Sequence, residues 1–299
     1  MAKKPVYNNE SITSLKGADR VRRRPAVIFG SDGLEGCEHS IFEIVSNSID
    51  EAREGYGKKI VVTRYNDDSV EVEDFGRGIP VDYNNAENRY NWELVFCEMY
   101  ARGKYKNDED GSYEYSLGLN GLGLCATQYA SLYMDAEVYS AGAHYTLHFE
   151  KGENVGGLQK EPYTGKKTGT RIRWKPDLDV FTDIHVPETY YLDMLRRQAV
   201  VNDGVTFLFR SEKETGGFTE TQFYYDNGIR DHALELAGEN PLSTVQFWQT
   251  EKKVRDRDDK PEYKCRIGVA VLFSNRTHAT EYYHNSSFLE HGGAPDKAV

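Results

Sequence analysis

Between residues 36 and 54 the apolar or small positions Ile41, Ile44, Val45, Ser48, Ile49 and Ala52 recur at three- and four-residue steps. That is the period of an α-helix with one face in a core. Glu43, Asn47 and Asp50 interrupt the pattern, with Glu51 next to them, and steps of four and three put the first three on one stripe. Polar groups on a face that reads as buried need a chemical reason. Glu43 can polarise a water, and Asn47 offers a neutral oxygen to a hard cation such as magnesium. The same spacing also fits an ordinary amphipathic helix with polar residues along its margin, and this segment alone leaves both readings open.

Around this helix the pattern alternates. A short helix is expected over 14–24, stopped by Pro25, and strands over 59–65 and 69–74 are joined by the turn Asn66-Asp67-Asp68. A helix is expected over 92–101, strands over 132–140, 144–150 and 169–175, a helix over 187–198 and a strand over 205–210. Residues 103–123 form a polar, glycine-containing stretch without period, and a loop of that length inside a compact domain is usually functional. The charged, glycine-containing segment 211–217 places a domain boundary there, giving domains 1–217 and 218–299. A strand over 267–275 follows, and the second domain reads as cut short.

The chain has 299 residues, enough for two domains, and a formal charge of −11 that repels phosphate backbones overall. Any nucleic-acid contact is therefore local or belongs elsewhere in a larger protein. Cys37, Cys97, Cys125 and Cys265 are scattered, with no CxxC pair, and read as free thiols of a reducing cytoplasm. No apolar run approaches the ~18 residues of a membrane span.

Three further segments carry chemistry. Asp74-Phe75-Gly76-Arg77-Gly78-Ile79-Pro80 follows a strand. There an acceptor-only carboxylate can read an exocyclic amine beside a backbone that turns sharply, although aspartate before glycine is also a common hairpin device. Gly118-Leu119-Asn120-Gly121-Leu122-Gly123 opens a helix-like run whose amides can cradle phosphates, at a spacing that is neither a P-loop nor a Rossmann fingerprint. Lys167-Thr168-Gly169-Thr170-Arg171 begins a strand, and the Thr170 hydroxyl is placed to reach Asp74 through a water.

In order and spacing, residues 43–52, 74–80, 118–123 and 168–170 resemble the four boxes of the Bergerat-fold (GHKL) ATPases. Within that group the chain is most similar to the gyrase B family of type IIA DNA topoisomerases, with its topoisomerase IV counterpart, from Tyr7 to about Gly293. Leu15-Lys16-Gly17, Val21-Arg22, Arg24-Pro25 and Ile28-Phe29-Gly30 resemble that family's opening segment, and Gly103-Lys104-Tyr105 the start of its ATP lid.

The resemblance implies an α+β fold, a Bergerat-type sandwich of helices on a mixed, mostly antiparallel sheet, followed by an incomplete α+β transducer domain of the ribosomal protein S5 domain 2 type. It implies ATP and magnesium as cofactors, Glu43 as general base and Asn47 as magnesium ligand. Asp74 would accept the adenine amino hydrogen with Thr170 as its water-mediated helper, and Asp50 and Gly76 would join the ATP site. Arg77 and Glu51 would pair at the pocket edge. Gly78, Ile79, Pro80, Val45, Val72, Val95 and Ile172 would form the apolar wall. Lys104, Tyr113, Leu119, Asn120, Gly121, Leu122 and Gly123 would hold sugar and phosphates, and Tyr7 would reach a partner's nucleotide.

The implied function is an ATP-gated dimer clamp that drives DNA strand passage. Its partners would be a second copy, a cleavage protein of gyrase A or topoisomerase IV A type, and double-stranded DNA. Three departures qualify this. Asn120 stands where gyrases usually have histidine. Ser140 stands where many have an arginine that bounds the aminocoumarin site. The transducer lysine directed at the terminal phosphate is not in the sequence, so hydrolysis by this chain is expected to be weak. A paralogue that binds nucleotide as a regulatory scaffold, without topoisomerase activity, is the alternative reading.

Overall fold

The structure is a computed structural model that describes residues 15, 17–100, 121–255, 257–259 and 262–298. The helices α1 (Asp19–Arg22) and α2 (Pro25–Phe29) come first, then the long α3 (Leu34–Arg53). α1 stops at Arg22, ahead of Pro25 as expected, and Pro25 itself opens a second helix. It occupies the first turn of α2, where its missing N–H is unpaired in any case. After α3 come β1 (Lys59–Arg64) and β2 (Val70–Asp74), an antiparallel pair. In their turn the amide and hydroxyl of Ser69 both donate to Asp67.

The small hairpin β3 (Tyr83–Asn84) and β4 (Arg89–Tyr90) leads into α4 (Asn91–Cys97), shorter than the periodicity implied, and α5 (Gly123–Tyr129) follows the undescribed residues 101–120. A meander of β5 (Ser131–Ser140), β6 (Ala143–Glu150) and β7 (Glu153–Pro162) comes next, then β8 (Gly169–Pro176), which returns to pair with β5 and β2, followed by α6 (Glu188–Val201), β9 (Thr206–Glu212) and β10 (Phe218–Phe223). The remainder is α7 (Ile229–Ala237), the ribbon β11 (Gln246–Val254) with β12 (Tyr263–Val271), the hairpin β13 (Tyr283–His284) with β14 (Ser287–Phe288), and α8 (Gly293–Ala298).

Eight strands form one sheet in the order β10-β9-β1-β2-β8-β5-β6-β7, and only the β1–β9 pair is parallel. Register explains the core. Phe209, Val62, Val72, Ile172, Ala136 and Leu147 are successive partners across six strands, and each is buried. The next row pairs Val70, Trp174, Met134 and Phe149, all buried. Because side chains alternate along a strand, these rows all face the same way, toward α3, α5 and α6. The opposite face carries Glu71, Glu73, Arg171, Arg173, Asp135 and Glu137, with Arg171 paired to both Glu71 and Glu137. The fold is thus the expected α+β arrangement of helices over a mixed, mostly antiparallel sheet.

Two details differ from the sequence reading. The edge strand β7 is nearly all exposed and shows no alternation, so it carries no periodic signal. Within segment 211–217, Ser211 and Glu212 still belong to β9, and 213–217 form a hairpin turn that returns the chain to the sheet, with β10 paired to β9 along its length.

Candidate functional site

The site is assembled where α3 crosses the β1–β2 side of the sheet. Asp74 ends β2 two residues after Val72, so it points to the helix-covered face, in a row with Ile60 and Phe207 on one side, while on β8 Thr170 is the partner of Val138. A carboxylate there must be held by donors. Its Oδ1 accepts the amides of Gly76 at 3.0 Å and Thr170 at 3.2 Å, and its Oδ2 accepts the Ser48 hydroxyl at 3.1 Å. Burial pushes the Asp74 carboxyl above its ordinary range, and the three hydrogen bonds oppose that shift.

Thr170 is engaged twice. Its amide bonds Asp74 directly, and its hydroxyl accepts the Ile79 amide at 3.0 Å. The residues around the Asp74 turn are thereby fixed to β8. Gly78 has φ of +83°, and a Cβ there would stand 2.9 Å from the Tyr139 carbonyl oxygen and from Val138. The turn therefore passes flush against β5. At its rim Arg77 grips Glu51 with Nε at 2.8 Å and Nη2 at 3.0 Å, and its guanidinium lies 3.8 Å over the Tyr56 ring. Val45, Val72 and Ile172 are buried beside the turn, Ile79 and Val95 are partly buried, and Pro80 is exposed.

Further along α3, Glu43 and Asn47 lie on the partly open face while Asp50 is buried. The Asn47 amide nitrogen donates to the Glu43 carbonyl at 3.0 Å. His39, one turn before Glu43, places Nε2 3.0 Å from the Glu43 carboxylate. At the start of α5, Gly123 packs directly on that carboxylate: a Cβ there would fall 1.9 Å from Glu43 Oε2. Gly121 and Leu122 precede it, the first accepting the Tyr100 amide at 3.2 Å and the second forming the N-cap of α5.

The structure thus brings together Glu43, Asn47, Asp50, Asp74, Gly76, Gly78, Ile79, Gly121, Leu122, Gly123 and Thr170. Tyr7, Lys104, Tyr113, Leu119 and Asn120 lie outside the described residues. Two residues of the site were missed in the sequence. His39 was detectable as a polar residue four before Glu43, whereas Ser48 reads as a small core residue until β2 is placed beside it. Among the described residues no group of three or more His, Cys, Asp or Glu side chains could hold a metal. A single amide oxygen suits magnesium, which keeps waters and takes its other ligands from phosphates.

No family model matches the chain. It is 38% identical to the DNA gyrase B protein of Treponema denticola over 227 residues, which are 76% of this chain and 35% of that protein. To the DNA gyrase B protein of Mycoplasmoides gallisepticum it is 32% identical over 291 residues, 96% of this chain and 43% of that protein. The chain therefore spans less than half the length of these relatives. Among solved structures, the 43K ATPase domain of Thermus thermophilus gyrase B in complex with an aminocoumarin matches with a TM-score of 0.65 and 30% identity, covering 79% of this chain and 59% of that one. With Glu43, Asp74, Gly123 and Thr170 gathered at one place on the same fold, the chain corresponds to the GHKL ATPase region of the DNA gyrase B proteins.

Proposed function

We propose that this chain is the ATP-binding and ATP-hydrolysing module of a type IIA DNA topoisomerase of gyrase B or topoisomerase IV B type. The observation that carries the reading is the joining of two chemically distinct groups by one helix. The Asp74 acceptor is bonded to α3 through Ser48, and five residues earlier α3 presents Glu43 with its His39 partner. One end of the site can read a base and the other can work on a phosphate.

In this proposal Asp74 accepts the adenine amino hydrogen, with Thr170 assisting through a water, and Gly76, Gly78 and Ile79 carry the base against the apolar wall. Glu43 takes the proton of the attacking water, and His39 orients its carboxylate. Asn47 would hold magnesium, which supplies charge neutralisation on the phosphates when bound. Asp50 supports the site from within, while Lys104, Tyr113, Leu119, Asn120, Gly121, Leu122 and Gly123 surround sugar and phosphates. Tyr7 reaches the nucleotide of a second copy. The whole protein would act in the cytoplasm as an ATP-closed clamp, passing double-stranded DNA together with a cleavage protein of gyrase A or topoisomerase IV A type. No helix among the described residues is long and apolar enough to cross a membrane.

We further propose that the segment after the sheet begins a transducer domain. Pairing of β10 with β9 favours a division just after β10, a few residues beyond the 217/218 position read from composition.

The test is Glu43→Ala in the longer parent protein: nucleotide binding is retained and turnover falls by about 10²-fold or more. Normal turnover would remove Glu43 from the mechanism.

A further inference from the structure

The turn of the β13–β14 hairpin, far along the chain from any motif, is exposed at Asn285 but buries one polar residue. Ser286, at its tip, is 1% exposed and is held from two helices. Arg53 Nη2, from the last turn of α3, donates to its hydroxyl at 2.7 Å, and Gln198 Nε2, from α6, donates to its carbonyl oxygen at 2.8 Å. Arg53 Nε also donates to Asn202 Oδ1 at 2.7 Å, and Asn202 closes the end of α6 by donating to the Gln198 carbonyl at 2.7 Å. The Arg197 guanidinium lies 4.0 Å over the Phe288 ring at the hairpin's base.

A guanidinium withdrawn from water is costly unless its donors are met. Burial pushes Arg53 below its ordinary range and the Asp50 carboxylate opposes that shift. The forked geometry of arginine lets one head group hold α6 and the hairpin at once. Its helix is the one that carries Asp50, Asn47 and Glu43 on preceding turns. Asn47 and Arg53 share one unbroken helix, a rigid element of the kind that can carry coupling between two sites.

We propose that Arg53 is a positioning residue that couples nucleotide occupancy on α3 to the docking of the 283–288 hairpin. The inference rests on the proposed ATP site. Linkage makes it reciprocal: what nucleotide does to the hairpin, the hairpin does to nucleotide affinity.

The test is a calorimetric titration of the 299-residue chain with magnesium and a non-hydrolysable ATP analogue, beside Ser286→Ala and Arg53→Lys. Hydrogen exchange over 283–288 is measured with and without the analogue. Ser286→Ala removes one hydroxyl at the hairpin tip and is expected to weaken binding about fivefold, the low end of measured site–site couplings. Nucleotide-dependent protection of the hairpin is expected in the parent chain and is lost in Arg53→Lys, which keeps the charge but not the fork. Equal affinity of the parent and Ser286→Ala, with hairpin exchange indifferent to nucleotide, overturns the coupling and leaves the ATP site standing. Lower hairpin protection in the variants with unchanged affinity also overturns it, since Arg53 is then a structural clip. Absence of binding by the parent chain sinks the proposed ATP site, and this inference with it.

Discussion

Replacing Asp74 by asparagine separates the fold from recognition. The asparagine carbonyl oxygen can accept the Gly76 and Thr170 amides as Oδ1 does now, at 3.0 and 3.2 Å. The amide nitrogen then meets Ser48, 3.1 Å from Oδ2, and the hydroxyl reverses to accept. Every protein-side bond survives without charge assistance, while the burial penalty on the carboxylate disappears. The two effects oppose each other, and the net stability change is within about 1 kcal/mol.

Toward a ligand the exchange is not symmetric. An acceptor becomes a donor facing the adenine amino group, at a cost of about 2–3 kcal/mol. That corresponds to roughly 30- to 150-fold in Kd. The assay is calorimetric titration with a non-hydrolysable ATP analogue, paired with thermal unfolding of both chains. Binding by the variant within a factor of about three of the parent, at equal stability, would refute the role given to Asp74.

The pH dependence follows with its sign. Burial raises the Asp74 carboxyl above its ordinary value of 3.8, so on acidification the folded chain takes up this proton before the unfolded chain does. Ionised Asp74 therefore costs stability above the raised value, and the cost is relieved as pH falls through the window between the raised and ordinary values. Nucleotide affinity moves the other way, because protonation removes the acceptor. Both trends are expected to vanish in Asp74→Asn.

Two further outcomes test other parts of the molecule. Gly123→Ala puts a methyl where Glu43 Oε2 stands, 1.9 Å away, so the carboxylate must leave His39. Turnover in the longer parent is expected to fall by about 10²-fold with little change in analogue affinity, and unchanged turnover would show that Glu43 need not sit there. Glu281 is held down to about 2, first by its hydrogen bond to His232 at 2.9 Å, with the Tyr283 hydroxyl also helping at 2.7 Å, both against its burial. Its stabilisation is present above the ordinary carboxylate value of 4.5 and is lost as pH falls from there toward about 2. Denaturant midpoints across that range should drop less steeply in Glu281→Gln, and parallel curves would contradict the pairing.

Much of the site is local in sequence, and for that reason it was legible. Helical spacing alone places Glu43, Asn47 and Asp50 on α3, because a period of 3.6 residues needs no partner to define a face. The turn after Asp74 is equally local, since its glycines serve a backbone conformation and close contacts at the turn. The strands β5, β6 and β8 were legible at 132–140, 144–150 and 169–175, and β7 was not, because its mostly exposed side chains show no alternation. Pro25 marked the stop of α1, but the helix it opens went unread, because the same ring that ends one helix can begin another.

What no local pattern contains is which elements meet. The Ser48 hydroxyl on Asp74, the Thr170 amide on the same carboxylate and the Gly123 backbone against Glu43 each join segments 26 to 96 residues apart, and each exists only once the sheet order sets β2 between β1 and β8 beneath α3. The return of β10 to the sheet and the grip of Arg53 on Ser286 are of the same kind. Sequence determined the chemical groups and the faces they occupy, because those depend on neighbours within one turn or one strand. Tertiary structure alone decided their partners, because burial, register and hydrogen-bond satisfaction are properties of the packed chain as a whole.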